Sequence, residues 1–411
     1  MRGGRSFIKY LIQLLLLTAF LISCSKEPSA PVYKNFVSKE VAFNRPKEYL
    51  SALLDAVSSS NPEVLAIKPL IVNDITVYKI VYKTTVNNQS INASGLVCVP
   101  ATPGDYPVLS FQNGTNTVNA NSPSENPADY SYQMIELAAS LGYIVVISDY
   151  PGFGASSAIA HPYLVKEPTV RSLVDNLYAV KELASSGLPG INLKNEYYLI
   201  GYSQGGWATL ALHKALEAEY SDDFDLIGSA CGAGPYDLYL LMQGMIDVNT
   251  YPMPVYLGYI INAYTAYNQF TNSAADLFSE TYASKISSLY TGLLTSSEIN
   301  AQLTTDIHEL LNPDFLAGFE SASEYSSVRE ALITNSIPAW HSYKSLMFLH
   351  GSNDKDVDPV STENIYNGMI EAGTSAEICK KVIIPDVDHG GGIIPAMVQG
   401  ILFLNDLKSS R

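Results

Sequence analysis

Two periodicities divide this chain. From Ile75 to Val86, and again from Ile91 to Val99, apolar and polar residues alternate about a turn-like Asn87-Asn88 pair, which predicts an antiparallel hairpin. Beyond it the pattern changes to short apolar runs separated by stretches with apolar positions three and four apart. The runs Val108 to Phe111, Tyr143 to Ser148, Tyr197 to Ile200, Leu226 to Ala230, Leu346 to Leu349 and Lys381 to Ile384 predict strands. Tyr143 to Ser148 is almost continuous Ile and Val, as expected of a strand covered on both faces. Helices are predicted near Pro46 to Ser58, over Pro127 to Leu141, Pro168 to Ser186, from the end of the Tyr197 run through His213 and Glu217, and over Gly392 to Leu407. In the third of these, Leu173, Leu177, Val180 and Leu183 fall on one face. Alternation of this kind predicts the α/β class, a mostly parallel central sheet with helices on both faces.

The alternation stops between about Gly232 and Ile337. That stretch has helical patterns and no clear strand, so residues 232–337 read as a helical cap inserted into a core formed by residues 46–231 and 338–411. It carries Tyr236, Tyr239, Tyr251, Tyr256, Tyr259, Tyr264, Tyr267, Tyr282 and Tyr290. Together these suggest an amphipathic lining over a site, because tyrosine combines apolar area with a hydroxyl.

The first residues read as targeting signal. Arg2, Arg5 and Lys9 precede an apolar stretch, Tyr10 to Ile22, that is short for a membrane span. It ends in Leu21-Ile22-Ser23-Cys24, which resembles the lipobox of bacterial lipoproteins. This implies a signal peptide over residues 1–23, lipidation of Cys24, a tether over residues 24–45, and an exported, membrane-anchored protein facing the periplasm or the outer surface. The net charge is −16, and no Lys/Arg cluster follows the signal, which argues against a nucleic-acid partner. Cys98, Cys231 and Cys379 lie far apart without a C-x-x-C pair, so a zinc site or a disulfide framework is not indicated. One bridge among them is compatible with an oxidising compartment, but buried free thiols are the favoured reading.

Chemistry concentrates in Gly201-Tyr202-Ser203-Gln204-Gly205-Gly206, which follows a strand signal and opens a helical one. A nucleophilic serine at a tight strand-to-helix turn needs glycines beside it, because there is no room for Cβ atoms. The turn lifts the hydroxyl to the N-terminus of a helix, where the dipole favours negative charge. Such a serine requires a base and the base an orienting carboxylate. Of the six histidines, His389 lies in a loop just beyond the Lys381 strand, where such sheets place functional groups. His213 falls on the helix after Ser203 and reads as structural, His161 as a candidate pocket residue, and His308 as part of the cap. His341 and His350 flank a strand, His350 in a turn. The carboxylate should follow the preceding strand, where Asp354, Asp356 and Asp358 compete. Asp354, at the tip of the turn three residues past Gly351, is favoured over Asp356, and Asp358 beside Pro359 reads as a cap for a helix starting near Thr362. Gly152-Phe153-Gly154 lacks a third glycine and a helix start, so no dinucleotide site is inferred.

The order Ser203, Asp354, His389, with His-Gly-x-x-Asp-x-x-Val at His350 to Val357 and His389-Gly390, resembles the α/β-hydrolases from about Val77 to Leu407. Ser148-Asp149-Tyr150-Pro151-Gly152-Phe153-Gly154, with a large cap before the acid-bearing strand, resembles more narrowly the secreted lipase group that includes Candida lipase A. The resemblance implies an oxyanion hole made by the backbone N–H of Gln204 and of Thr115, although Asn113 stands where the family usually has histidine. It also makes Asp149 a structural loop residue. The expectation is an esterase or lipase acting through an acyl-enzyme on Ser203, with His389 as base and Asp354 as acid, on small-molecule or lipid esters and without a metal or cofactor. The alternatives are an aminopeptidase of the same fold, in which Asp237 or Asp247 would bind a substrate ammonium, and a non-catalytic surface-binding lipoprotein.

Overall fold

The hairpin forms where the alternation places it. In the computed structural model, which describes residues 33–411, β2 (Ile75–Val86) and β3 (Gln89–Pro100) pair antiparallel from Ile75 opposite Pro100 to Val86 opposite Gln89. Asn87 and Asn88 have φ of 48° and 60°, two successive left-handed positions that asparagine tolerates and that match the twist of the flanking strands. An earlier strand, β1 (Phe36–Arg45), pairs antiparallel with β2 and forms the edge of the sheet.

This corrects the expectation of a tether over residues 24–45, since from Phe36 the chain is strand. The reason it is hidden in the sequence is physical. Val37 and Val41 are 42% and 55% exposed, so β1 has no apolar face to produce an alternating pattern. It is fastened instead by its ladder and by Glu182, whose carboxylate accepts the N–H groups of Lys34, Asn35 and Phe36.

The remaining strands are β4 (Gly104–Gln112), β5 (Ile144–Ser148), β6 (Ile191–Tyr202), β7 (Asp225–Gly232), β8 (Ser345–Gly351) and β9 (Cys379–Ile384). The sheet order is β1-β2-β3-β5-β4-β6-β7-β8-β9, antiparallel as far as β5 and parallel from β5 to β9. Successive residues of the central strands point to opposite faces. Ile144, Val146, Tyr197 and Leu199 enter one apolar cluster, with Leu173, Leu177 and Leu183 of the helix Lys166–Ser186 and Trp207 and Leu210 of the helix Gln204–Ala218. Val145, Ile147, Tyr198 and Ile200 enter the other, against Leu50 and Leu54 of the helix Lys47–Ser58 and Ile401 and Leu404 of the helix Ile393–Ser409. Covering both faces is what makes these strands read as unbroken apolar runs. The result is the mostly parallel sheet, with helices on both sides, that the sequence predicts.

Between β7 and β8 the chain is helical, from Leu238–Ile246 to Ser326–Asn335, with only isolated bridges Thr250–Asp306 and Phe278–Leu311 among its described residues. Several of its tyrosines act as clamps, while Tyr251 lines a cleft. The hydroxyls of Tyr264, Tyr267 and Tyr259 donate to the carbonyls of Leu164, Ala160 and Asn116, at 3.2, 2.8 and 3.0 Å, tying this region to core loops. Cys98, Cys231 and Cys379 are buried free thiols, as expected.

Candidate active site

Ser203 sits in the turn that joins β6 to the helix Gln204–Ala218, with φ 58° and ψ −125°, a conformation costly for a residue with a Cβ. The turn is tight on both sides. A Cβ on Gly201 would overlap the carbonyl of Gly205, and one on Gly205 would overlap the carbonyl oxygen of Gln112 at the end of β4. Ser203 N–H donates to the Gly232 carbonyl at 2.9 Å, so the ends of β6 and β7 are tied together beneath the hydroxyl.

His389 lies in the loop between β9 and the last helix. Its Nε2 is 2.9 Å from Ser203 Oγ and its Nδ1 is 2.6 Å from Asp354 Oδ2. The His389 carbonyl accepts from Tyr202 Oη at 2.8 Å, and the two rings pack with centroids 5.2 Å apart, which fixes the imidazole from behind. Asp354 follows β8, and its side chain is wholly buried. Its Oδ1 accepts the N–H groups of Asp356 and Val357 at 3.0 and 2.9 Å. Burial pushes this carboxyl upward, but the hydrogen-bonding rings of His350 and His389, the charge that His389 can carry and the Val357 amide outweigh it. The carboxyl is therefore held well below the usual carboxylate range and is ionised at neutral pH.

The three residues chosen from the sequence thus form one chain of hydrogen bonds, from Ser203 through His389 to Asp354, at the C-terminal ends of β6, β9 and β8. Because Asp354 can only accept, His389 carries its proton on Nδ1 and offers the Nε2 lone pair to the Ser203 hydroxyl. Such an arrangement can deprotonate a serine as it attacks an electrophilic carbon. Asp356 is outside the chain, and its backbone carbonyl accepts from Tyr251 Oη at 3.0 Å. Asp358 Oδ1 accepts from Val360 N–H at 2.8 Å, but the N-cap of the helix Val360–Glu371 is Pro359, so Asp358 supports the turn ahead of the helix rather than capping it.

Thr115 and Gln204 belong to two segments that touch, as the fit of Gly205 against Gln112 and Asn113 requires. Asn113 Nδ2 donates to the Ser148 carbonyl, and Tyr150 Oη donates to the Asn113 carbonyl at 3.2 Å, so Asn113 anchors the loop through its amide and its carbonyl. Thr115 Oγ1 is bonded to Tyr163 Oη at 2.9 Å. Tyr163 in turn stacks on Tyr259 at 4.3 Å, and Tyr259 on Tyr290 at 4.8 Å.

His161, expected as a pocket residue, instead lies buried behind Gln204. Its Nδ1 is 2.9 Å from the Pro151 carbonyl and its Nε2 2.8 Å from Gln204 Nε2. Burial lowers its pKa to about 4, so the ring is neutral, donates to Pro151 and accepts from Gln204. His213 is buried between Ser229 and Ser342, and His308 and His341 are exposed. Asp149 is structural, its buried carboxylate taking bonds from Ser94 and Ser124. The contact that sequence reasoning missed is His350, read as a turn residue, whose Nε2 lies 3.1 Å from Asp354 Oδ2. Its local signal is the His-Gly-x-x-Asp-x-x-Val run that opens at His350 and sets it four residues before Asp354.

A cleft of about 430 Å³ opens beside the acid loop, between Asp356, Val360 and Ser361 on one side and Leu241, Met245 and Tyr251 on the other. Asp237 and Asp247 also line it, although Asp237 Oδ1 is engaged in capping the helix Leu238–Ile246 through the Leu240 amide at 2.9 Å. Among the described residues, no group of three or more His, Cys, Asp or Glu is placed to hold a metal ion.

No curated protein matches the chain. Among solved structures, a candidate hydrolase from Legionella pneumophila is similar at 25% identity and a TM-score of 0.81, covering 91% of this chain and 98% of its own. The rice cell wall degrading esterase LipA from Xanthomonas oryzae has a TM-score of 0.77 at 22% identity, over 93% of this chain and 100% of its own. Candida antarctica lipase A in its closed state has a TM-score of 0.64 at 14% identity, over 91% and 82%. At such identities the last two establish the α/β-hydrolase fold alone. The secretory lipase profile matches residues 126–336, just over half of the chain, a span that includes Ser203 and ends before Asp354 and His389. The chain therefore belongs to the secretory lipase family.

Proposed function

We propose that this protein is a serine-dependent carboxylic ester hydrolase that works through an acyl-enzyme on Ser203. Ester hydrolysis follows from family membership. The observation that carries the finer reading is the 2.9 Å contact between His389 Nε2 and the hydroxyl of a serine held at φ 58°. Ser203 Oγ attacks the ester carbonyl carbon as His389 Nε2 takes its proton. The tetrahedral oxyanion is held by the backbone N–H groups of Gln204 and Thr115, each worth about 10²–10³ in rate by analogy with other oxyanion holes. Collapse expels the alcohol, which leaves with the proton from His389. Water, deprotonated by the same ring, then attacks the acyl-Ser203, and the second tetrahedral intermediate collapses with the bond to Ser203 Oγ broken, the imidazolium returning its proton to Oγ as the acid leaves. Asp354 remains ionised throughout, keeping the Nδ1–H tautomer and stabilising the imidazolium.

The test is hydrolysis of p-nitrophenyl esters, from acetyl to long acyl chains, by the full-length protein. We expect turnover at least about 10⁶-fold above the uncatalysed rate, and the chain-length optimum distinguishes esterase from lipase. Absence of turnover on every ester, with release of p-nitroaniline from aminoacyl anilides, would replace this reading with the aminopeptidase one. The cleft residue Asp247 would then be the group to examine for ammonium binding.

Export agrees with the family's secretory character. We further propose a lipid anchor on Cys24, supported by Leu21-Ile22-Ser23-Cys24 at the end of the apolar stretch, which lies outside the described residues. No described helix is long and apolar enough to cross a membrane. The parent is expected to incorporate labelled palmitate and Cys24→Ser to lose that label, and a parent without label, or a variant that keeps it, would exclude the anchor.

A further inference from the structure

We infer that His350 is a positioning residue for Asp354, a second histidine on the same carboxylate that holds it against His389. The inference rests on the reading of Ser203, His389 and Asp354 given above. His350 is the penultimate residue of β8 and is fully buried, as is the Asp354 side chain. Its Nε2 lies 2.9 Å from the Val357 carbonyl and 3.1 Å from Asp354 Oδ2. Both partners can only accept, so Nε2 carries the proton. On the other side Nδ1 is 2.8 Å from Thr362 Oγ1, itself buried on the helix Val360–Glu371, and there the ring accepts the threonine proton. All polar positions of the ring are used, and one tautomer satisfies them all.

The consequence lies in what that single N–H spans. It meets the carboxylate at the start of the turn from Asp354 to Val357 and, more directly, the carbonyl at its end, while the amides of Asp356 and Val357 hold Oδ1. His350 therefore ties the acid-bearing turn back to the rigid end of β8, and Oδ2 is shared between two imidazoles. Without this tie Oδ2 keeps one partner, and the turn is held by its own two amide bonds, by the Asp354 amide on the Gly351 carbonyl and by Tyr251 on the Asp356 carbonyl. A displacement of a fraction of an ångström there is carried directly to His389 Nδ1, and proton transfer is sensitive to misplacement on that scale.

Two isosteric substitutions separate this role from a purely structural one. His350→Gln places an amide N–H close to the position of Nε2 and can still reach Val357 and Asp354. His350→Asn reaches only the Thr362 side, which leaves the Val357 carbonyl without this donor and Asp354 Oδ2 with His389 alone. On p-nitrophenyl esters, H350N is expected to lower kcat about 10- to 100-fold, with KM within about twofold, and H350Q to recover most of that loss. Wild-type kcat in H350N would overturn the inference, as would equal losses in H350Q and H350N that follow their melting temperatures. If H350N does not accumulate as folded protein, Thr362→Val gives the same readout. The two acceptors at Nε2 still fix the tautomer, but the ring loses its anchor at Nδ1 and can tilt away from Asp354, so kcat should fall by about 3- to 10-fold at unchanged KM, and an unchanged kcat overturns the inference. Asp354→Asn in the same assay separates the two layers of argument. Full activity there would remove Asp354 as the acid and His350's role with it, whereas an inactive D354N beside a fully active H350N would remove His350 alone.

Discussion

Ser203→Ala is expected to lower kcat on p-nitrophenyl esters by about 10⁴- to 10⁶-fold, with KM changed by no more than a few-fold. The expectation comes from the role of the hydroxyl. Without Oγ no acyl-enzyme forms, and what remains is whatever the oxyanion N–H groups achieve with water. Alanine keeps the Cβ and therefore the same left-handed strain at φ 58°, so the fold should be neither relieved nor further burdened and the melting temperature should stay close to that of the parent. A fluorophosphonate should label the parent once, at Ser203, and leave the variant unlabelled. An alanine variant that retains a tenth of the parent activity would show that another residue is the nucleophile, since no described group shares the Ser203 contact with His389 Nε2.

How far this site is legible in sequence depends on whether its signals are local. The turn around Ser203 is legible because the strained conformation, the glycines on both sides and the change from strand to helix all fall within ten residues. His389 is legible by elimination, because few histidines follow a strand and precede a helix. The central strands read clearly because both of their faces are apolar, as in Tyr143 to Ser148. By the same argument β1 is invisible. Apart from Arg45 and the partly buried Phe36 and Phe43 it buries little, and its place is decided by the ladder with β2, by the Arg45–Glu136 pair and by Glu182, 146 or more residues from the amides it accepts. The cap tyrosines look like a lining in sequence because each offers a hydroxyl, yet most of those hydroxyls meet core carbonyls whose positions only the tertiary fold supplies.

The second ring of contacts is hidden for a related reason. His161 has no pattern that links it to Gln204, because Tyr150, Gly152 and Gly154 carry the intervening loop through positive-φ turns that bring the ring back beneath the elbow helix. The link has a use in the proposed mechanism. A neutral His161 that accepts from the Gln204 amide fixes the side chain of the residue whose backbone N–H is assigned to the oxyanion, and it does so without placing a positive charge there. On the opposite side, Thr115 is held through its hydroxyl by Tyr163, within a stack that continues through Tyr259 into the cap. Both assigned oxyanion donors thus depend on side chains that are remote in sequence, and the cap takes part in shaping one of them.

Asp354→Asn should lower kcat by about 10⁴-fold while the protein remains folded, because the surroundings decide which way the new amide faces. The two N–H groups of Asp356 and Val357 at Oδ1 require an acceptor, so the asparagine oxygen takes that place and the NH₂ takes the place of Oδ2. There it faces His389 Nδ1 as a donor. His389 must then carry its proton on Nε2, the nitrogen that Ser203 needs as an acceptor, and the base is disabled by tautomer without leaving its position. The same NH₂ also confronts the Nε2–H of His350, which can avoid a donor-donor clash only by giving up its bond to the Val357 carbonyl. Asp356→Asn provides the comparison, since its carboxylate takes no part in the chain from Ser203 to Asp354, and its kcat is expected to stay within about threefold of the parent. Measured kcat values for the two variants on one ester decide between the two aspartates. Loss in D356N with activity retained in D354N would reassign the acid.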